Sequence, residues 1–268
     1  MNTMPSVFLG HGSPMLALDD NQLTHTLSRL GQQILNNYGR PKAILMISAH
    51  WYTNRTLIQR TDSPRQIYDM YGFPKALYEV RYPVRGCAAL SDAVLGIKEI
   101  GAEMDNSWGI DHGTWTPLVH VFPDADIPVV QLSVNGVLTP RQCYEIGQLL
   151  APLRSQGYLI MGSGNVVHNL RRVNWSSQQG SPEAVAFNRY ITEAVERRDD
   201  EAVIGYASHP DARYAVPTAD HFLPLLYVLG SNDGRHVTIF NNHLELDSMA
   251  MTGYLIENGK RSFFYFYE

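Results

Sequence analysis

Three short apolar runs, AILMIS (43–48), PVVQLSV (128–134) and YLIMG (158–162), constrain the fold more than any other feature of this sequence. A strand with one wet face alternates apolar and polar residues, whereas a run apolar at nearly every position must be covered on both faces. Helical patterning separates the runs. Asn21 to Asn37 places Leu23, Leu27, Leu30 and Ile34 on one side. Thr139 precedes Pro140 as an N-cap before a helix predicted to reach Arg154, and Ser181-Pro182 opens another to Arg197.

The remaining elements follow the same alternation. Ser6 to Leu9 reads as a short strand and Thr56 to Gln59 as a further one. Ala88 to Ile100 and Leu223 to Leu229 read as helices, with a helical turn over Pro117 to Phe122. HVTIFNN (236–242), MAMTGYLIE (249–257) and SFFYFYE (262–268) read as late strands too close together for crossovers, which predicts antiparallel pairing. The expected fold class is α/β, one domain over residues 1–268, with a central mixed, mostly parallel sheet flanked by helices on both faces.

Charge and cysteine content narrow the function classes. A formal net charge of −5 gives no basic footprint for nucleic acid. The two cysteines, Cys87 and Cys143, have no metal-type spacing, which suits a reducing compartment. The start, MNTMPSVFLGHG, has no charged leader region, and no stretch reaches the 18 apolar residues of a membrane helix. The expectation is a soluble cytoplasmic protein without nucleic-acid or membrane partners, monomer or homodimer.

The ten histidines, at 11, 25, 50, 112, 120, 168, 209, 221, 236 and 243, are not scattered at random. His11 follows SVFLG, His50 follows ILMISA and His168 follows YLIMGSGNVV, each at or just past the carboxyl end of an apolar strand. Parallel strands bring those ends to one edge, where α/β sheets hold ligands. Neutral imidazole is the commonest metal ligand, so convergence of these rings makes a divalent metal site the economical reading. Ordinary hydrogen-bonded loop histidines remain the alternative, because no HExxH is present to fix the geometry. GSGN (162–165) lacks the lysine and spacing of a phosphate loop, and Ser13 in GHGSP does not match GxSxG.

FLGHGSPM, ISAHWYT, WGIDHGTWTPL, GSGNVVHNL and ADHFLPLLYVLG, in that order, resemble the class III (LigB-type) extradiol ring-cleaving dioxygenases, closest to the branch named 4,5-DOPA extradiol dioxygenase. The resemblance covers nearly the whole chain. It implies one divalent metal per chain, Fe(2+) for catalysis with Zn(2+) as an alternative occupant, held by His11, His50 and His221. His168 would serve as acid–base residue or fourth ligand, and His112 would stand on the substrate side. The implied substrates are O2 and a catechol resembling L-DOPA, opened to a hydroxymuconic semialdehyde. Such chemistry needs a ligand face that leaves room for catechol and O2, and a group that exchanges protons near neutrality, as histidine does.

The third ligand is where the motif departs from the usual two histidines plus carboxylate: PTADHF offers both Asp220 and His221. The DOPA-type branch has histidine there, so His221 is the choice. Ser13 and Asn165 are candidate substrate-binding groups, and Trp51, Tyr52, Trp108 and Trp115 are candidate walls for a flat ring or simple packing residues. His112 is expected to stabilise the bound dioxygen or the substrate oxygen, with a hydrogen-bonded Asp111–His112 pair in a turn before Gly113 as the alternative. The segment 60–85, rich in proline and tyrosine, is expected to form a structured lid. A zinc-dependent hydrolase and a non-catalytic metal-binding interaction protein on the same fold are the rival functions.

Overall fold

In the computed structural model, residues 3–234 and 236–258 are described. The strands are β1 (Ser6–Gly10), β2 (Ala43–Thr53), β3 (Leu57–Ile58), β4 (Glu103–Met104), β5 (Val129–Asn135), β6 (Tyr158–Gly164), β7 (His236–Phe240), β8 (Leu244–Glu245), β9 (Met249–Ala250) and β10 (Gly253–Glu257). Eight of them form one sheet in the order β4-β3-β5-β2-β6-β1-β10-β7, while β8 and β9 pair separately. The centre, β5-β2-β6-β1, is parallel throughout. The late strands close the edge antiparallel, β7 against β10 as their short connection requires, and β10 against β1 from the other end of the chain. SFFYFYE lies outside the described residues.

Period-two alternation explains why the central runs are apolar at every position. Ala43, Leu45 and Ile47 of β2 enter one core, shared with Cys143, Ile146 and Leu150 of the helix Pro140–Leu150 and with the helices Pro182–Arg197 and Leu223–Gly230. Ile44 and Met46 enter the other, with Leu23, Leu27, Leu30 and Ile34 of the helix Gln22–Tyr38 and with Trp115 and Leu118 of the helix His112–Val121. Both faces of the sheet's centre are therefore dry. Among the described residues no helix is long and apolar enough to cross a membrane, and both cysteines are free thiols.

Local signals set most helix ends. Asn21 caps Gln22–Tyr38 in a reciprocal box with Thr24, and Thr139 does the same with Gln142. Several boundaries differ from the sequence reading, and MAMTGYLIE (249–257), read as one strand, is two, β9 paired with β8 and β10 with β1 and β7. The helix expected to reach Arg154 breaks before Pro152 and restarts as Pro152–Ser155: Ala151 keeps helical geometry, but Pro152 has no N–H to continue the ladder. The helix expected to reach Ile100 stops at Leu95 before Gly96, and Lys98–Ile100 is a separate 3-10 turn. The strand expected to end at Ser48 runs on to Thr53, with its pairing to β5 interrupted between Ser48 and Tyr52. Finally, the turn expected from Pro117 is the second half of a helix that begins at His112.

Candidate metal centre

The carboxyl ends of β1, β6 and β2 are adjacent, so their sequels share one edge of the sheet. His11 leaves β1, and its backbone N–H bonds the carbonyl of Gly164 at the end of β6. His50 lies within the interruption of β2, where a bulge re-aims a side chain that regular pleating would direct elsewhere. His112 opens its helix. His221 sits in the turn before Leu223–Gly230 and is docked by its carbonyl, which accepts from the N–H of Asn165 at 2.9 Å. That docking needs a glycine beside it: a Cβ on Gly164 would stand 2.1 Å from the His221 carbonyl oxygen.

These rings, with His168, make one contiguous cluster. His11 and His50 have centroids 4.9 Å apart, His11 and His221 5.2 Å, His50 and His221 5.0 Å, and His50 and His112 3.8 Å. His168 stacks on His221 at 3.5 Å and 5°. One nitrogen each from His11, His50 and His112 fall within 4.8 Å of one another, the tightest potential ligand trio among the described residues. All five candidate site histidines named from the sequence thus meet at one place. Of the others, His25 bonds Asp20, His120 bonds the Leu16 carbonyl and His243 bonds Glu245, while His209 packs on Phe187 and Tyr190. His236 is half-buried in β7, away from the cavity.

Hydrogen bonds fix which nitrogens are free. Pro117 has no N–H to give the carbonyl of Gly113 one helical turn back, and the hydroxyl of Ser163 in β6 donates to that carbonyl instead. With its proton committed, Ser163 Oγ accepts from Nδ1–H of His11 at 2.9 Å, leaving the lone pair of His11 on Nε2. That Nε2 lies 3.0 Å from Nε2 of His50. On His221, Nδ1 bonds Asp220 Oδ2 at 2.7 Å, and the buried Nε2 has no partner. An imidazole tied through Nδ1 to a hydroxyl or carboxylate, with Nε2 turned inward, is the state in which histidine binds metal. The donor set fits a divalent ion.

A second carboxylate, Asp69, lies behind His50 and His112. Its Oδ1 accepts the His112 backbone N–H at 2.9 Å, while its Oδ2 is 3.6 Å from His50 Nδ1 and 3.0 Å from His112 Nδ1. The last contact is too poorly angled for a hydrogen bond, so His112 Nδ1 is buried without one. Asp111 does not bond the His112 ring. It caps the helix through Thr114 N–H and accepts from Ser48, Trp108 and Gln131, entirely out of solvent. Burial, reinforced by Asp69, raises its carboxyl above the ordinary range against those three donors.

Electrostatics keep three of these rings neutral. Burial, then neighbouring imidazoles, lowers His11 and His50 well below the ordinary histidine value. Burial and the adjacent His221 push His168 down to about 3. Burial opposes ionisation of Asp220, but the hydrogen bond and charge of His221 hold it below the usual carboxylate range. Uncharged imidazoles present lone pairs to a cation without first losing protons.

The cluster opens into a cavity of about 560 Å³. Ser13 lines it, with its hydroxyl also accepting from Met15 N–H. Asn165, expected at the substrate, does not: it is fully buried beneath the floor with Nδ2 on the Ala250 carbonyl and Oδ1 unpartnered. The expected aromatic walls are also different. Trp115 bonds the Ile67 carbonyl inside the core, Trp108 bonds Asp111, Trp51 is buried, and Tyr52 lies outside the cavity. Tyr71, Phe73 and Trp175 line it instead. Met70, Tyr71 and Phe73 come from segment 60–85, tied down by Gln66 to Val80 and Tyr82, so that segment is a fixed wall.

Residues 5–256 match the family described as the catalytic LigB subunit of aromatic ring-opening dioxygenase. The 4,5-DOPA dioxygenase extradiol of Escherichia coli K12 is 40% identical over 255 residues, covering 92% of this chain and 93% of that one. The protein of the same name from Beta vulgaris is 36% identical over 238 residues, 86% of this chain and 87% of its own. The crystal structure of the uncharacterized protein JW3007 from Escherichia coli K12 superposes with a TM-score of 0.81 at 36% identity, covering 94% of this chain and 99% of that one. Fold, histidine convergence and full-length similarity agree, and the chain belongs to the LigB family of aromatic ring-opening dioxygenases.

Proposed function

We propose that the protein is a metal-dependent extradiol dioxygenase that opens a catechol bearing an L-DOPA-like side chain. The observation that carries this reading is the gathering of the His11, His50 and His221 rings, with centroids 4.9 to 5.2 Å apart, beside an open cavity, two of them with Nδ1 hydrogen-bonded and the His221 Nε2 left without a protein partner. These three would hold one divalent ion. The tighter trio with His112 is the alternative set, but His50 and His112 meet ring on ring at 3.8 Å, a poorer disposition for two ligands of one ion. When bound, Fe(2+) would supply positive charge for both catechol oxygens and redox access to O2, whereas Zn(2+) in the same nitrogens would supply charge alone.

The chain's own groups then divide the remaining work. His168 lines the cavity with its ring unprotonated; burial makes it a weak base, so it would accept the proton of a catechol hydroxyl that a bound cation acidifies, and return it to a product oxygen after ring opening. His112, on the opposite wall, steadies the substrate oxygens by hydrogen bonding. Ser13 contributes a hydroxyl at the cavity edge, and Asn165 acts through His221, whose carbonyl it holds. The balance is catechol plus O2 to a hydroxymuconic semialdehyde: one ring C–C bond beside the diol breaks and both oxygen atoms enter the product.

Anaerobic loading with Fe(2+), followed by O2 and a panel of catechols, tests the reading. A visible semialdehyde chromophore with one O2 consumed per ring opened is expected. No ring opening across the panel would refute it, and ester or amide cleavage by the zinc form without O2 would favour the hydrolase.

A further inference from the structure

Above the histidines, the cavity carries groups that coordinating a metal and a ring does not use. Among the described residues, Arg171 is the one lysine or arginine lining it and Asp220 the one carboxylate. Asp220 is already committed to His221. The guanidinium of Arg171 has no ion-pair partner among the described residues, whereas Arg40, Arg55, Arg60, Arg141 and Arg198 each pair with an acidic side chain. An arginine left unpaired at the mouth of a binding cavity offers a planar set of donors suited to a carboxylate.

Its mounting is firm. Arg171 stands three residues beyond His168, in the 3-10 turn Leu170–Arg172. Asn169 caps that turn by accepting from Arg171 N–H, gives Nδ2 to the Tyr214 carbonyl and receives the Ser248 hydroxyl on its own carbonyl. His168 N–H bonds the Ala215 carbonyl. The same backbone therefore fixes the proton-exchanging imidazole and the base of the arginine. Around the mouth, Tyr71, Leu170 and Trp175 are 89%, 63% and 82% exposed, an apolar rim of the kind that contacts a ligand rather than water.

We propose that Arg171 binds a carboxylate at the end of the ring substituent, so that the site selects catechols with an anionic side chain over neutral or cationic ones. This rests on the reading that the ring binds at the histidines. Substituent selection occurs at the rim, and ring chemistry at the floor.

Binding to the zinc-loaded protein, which separates recognition from turnover, tests it by calorimetry with dihydrocaffeate, ethylcatechol and dopamine. These share the ring and a two-carbon linker, which ends in a carboxylate, a hydrogen and an ammonium, so they carry a negative, no and a positive charge. The wild type is expected to bind dihydrocaffeate at least about tenfold more tightly than ethylcatechol, with dopamine weakest, a preference that shrinks as salt rises. Arg171→Gln should reduce the dihydrocaffeate-to-ethylcatechol ratio about tenfold, and Arg171→Glu should shift preference toward dopamine. Arg172→Gln, the same charge change on a neighbour outside the cavity, should leave the ratio intact. Equal ratios in wild type and Arg171→Gln would overturn the proposal. If ethylcatechol is nevertheless opened by the iron form, the ring-cleavage reading stands and only the role of Arg171 falls. Failure of every catechol to bind would overturn both.

Discussion

Asp220 Oδ2 accepts a hydrogen bond from Nδ1 of the next residue, His221, at 2.7 Å. In the sequence the two compete for one ligand position. In the structure their roles are complementary, since the carboxylate sets the tautomer and aims the ring while the buried Nε2 is left without a protein partner. They are able to cooperate because they lie in a turn, ahead of the helix Leu223–Gly230, where neighbouring side chains can face one another.

Asp220→Asn should therefore weaken metal binding without removing a ligand. Loss of the carboxylate behind a ligating histidine typically costs 10–100-fold in affinity. Titration against a chromogenic chelator should show a fall of about that size, with unfolding in urea little changed. Unaltered affinity would mean that His221 does not hold the ion.

His168→Ala separates proton transfer from metal retention. The ring stacks on His221 at 3.5 Å and 5°, and rings in parallel planes cannot both hold one ion in their own plane. Metal content per chain should stay near the wild-type value while kcat falls about 10²–10⁴-fold, the usual worth of a general acid–base group. Loss of metal together with activity would make His168 a ligand.

The floor of this site was legible in the sequence because strand ends are. Apolar runs announce the strands, and parallel pairing carries His11, His50 and the segment before His168 to one edge without further information. Residues that act across the fold leave no such trace. Asp69 reaches His50 and His112 from a segment with no periodicity, and Ser163 matters only because β6 passes beside Gly113. The helix start at His112 did leave a signal, Asp111 followed by Thr114, but Pro117 disguised it as a turn. Arg171 and Trp175 come from a polar loop whose path is set by backbone bonds to residues near 214 and 247.

Acid should destabilise the metal-stripped protein through the same neutral imidazoles. The folded pKa of His168 is lowered to about 3 by burial and His221, below the 6.5 of an unperturbed histidine. Between these values the unfolded chain binds a proton that the folded chain does not, so stability is complete above about pH 6.5 and falls as pH drops. The slope is about 1.4 kcal/mol per pH unit for this ring, or roughly 2 kcal/mol by pH 5. His11 and His50, shifted in the same direction, steepen it. Urea midpoints measured from pH 7.5 to 5 should fall accordingly, and His168→Ala should flatten the curve. A midpoint independent of pH would show that these rings are not held neutral.

Pro117→Ala should make the protein more stable and its metal site worse. An alanine N–H at this position would bond the Gly113 carbonyl in the ordinary helical way, and proline in a helix interior costs up to about 3 kcal/mol relative to alanine. That same carbonyl now accepts the proton of Ser163 Oγ, which in turn leaves Ser163 as the acceptor for His11 Nδ1–H. With the carbonyl taken by the helix, Ser163 becomes free to donate to His11 Nδ1, the tautomer reverses, and Nε2 carries a proton where the ion needs a lone pair. The expected result is a raised urea midpoint with metal affinity reduced about tenfold, the scale of losing an orienting partner. Ser163→Ala should reproduce the affinity loss without the gain in stability. Were Pro117→Ala to bind metal as tightly as the wild type, the chain of bonds from Pro117 through Ser163 to His11 would have no part in preparing the site.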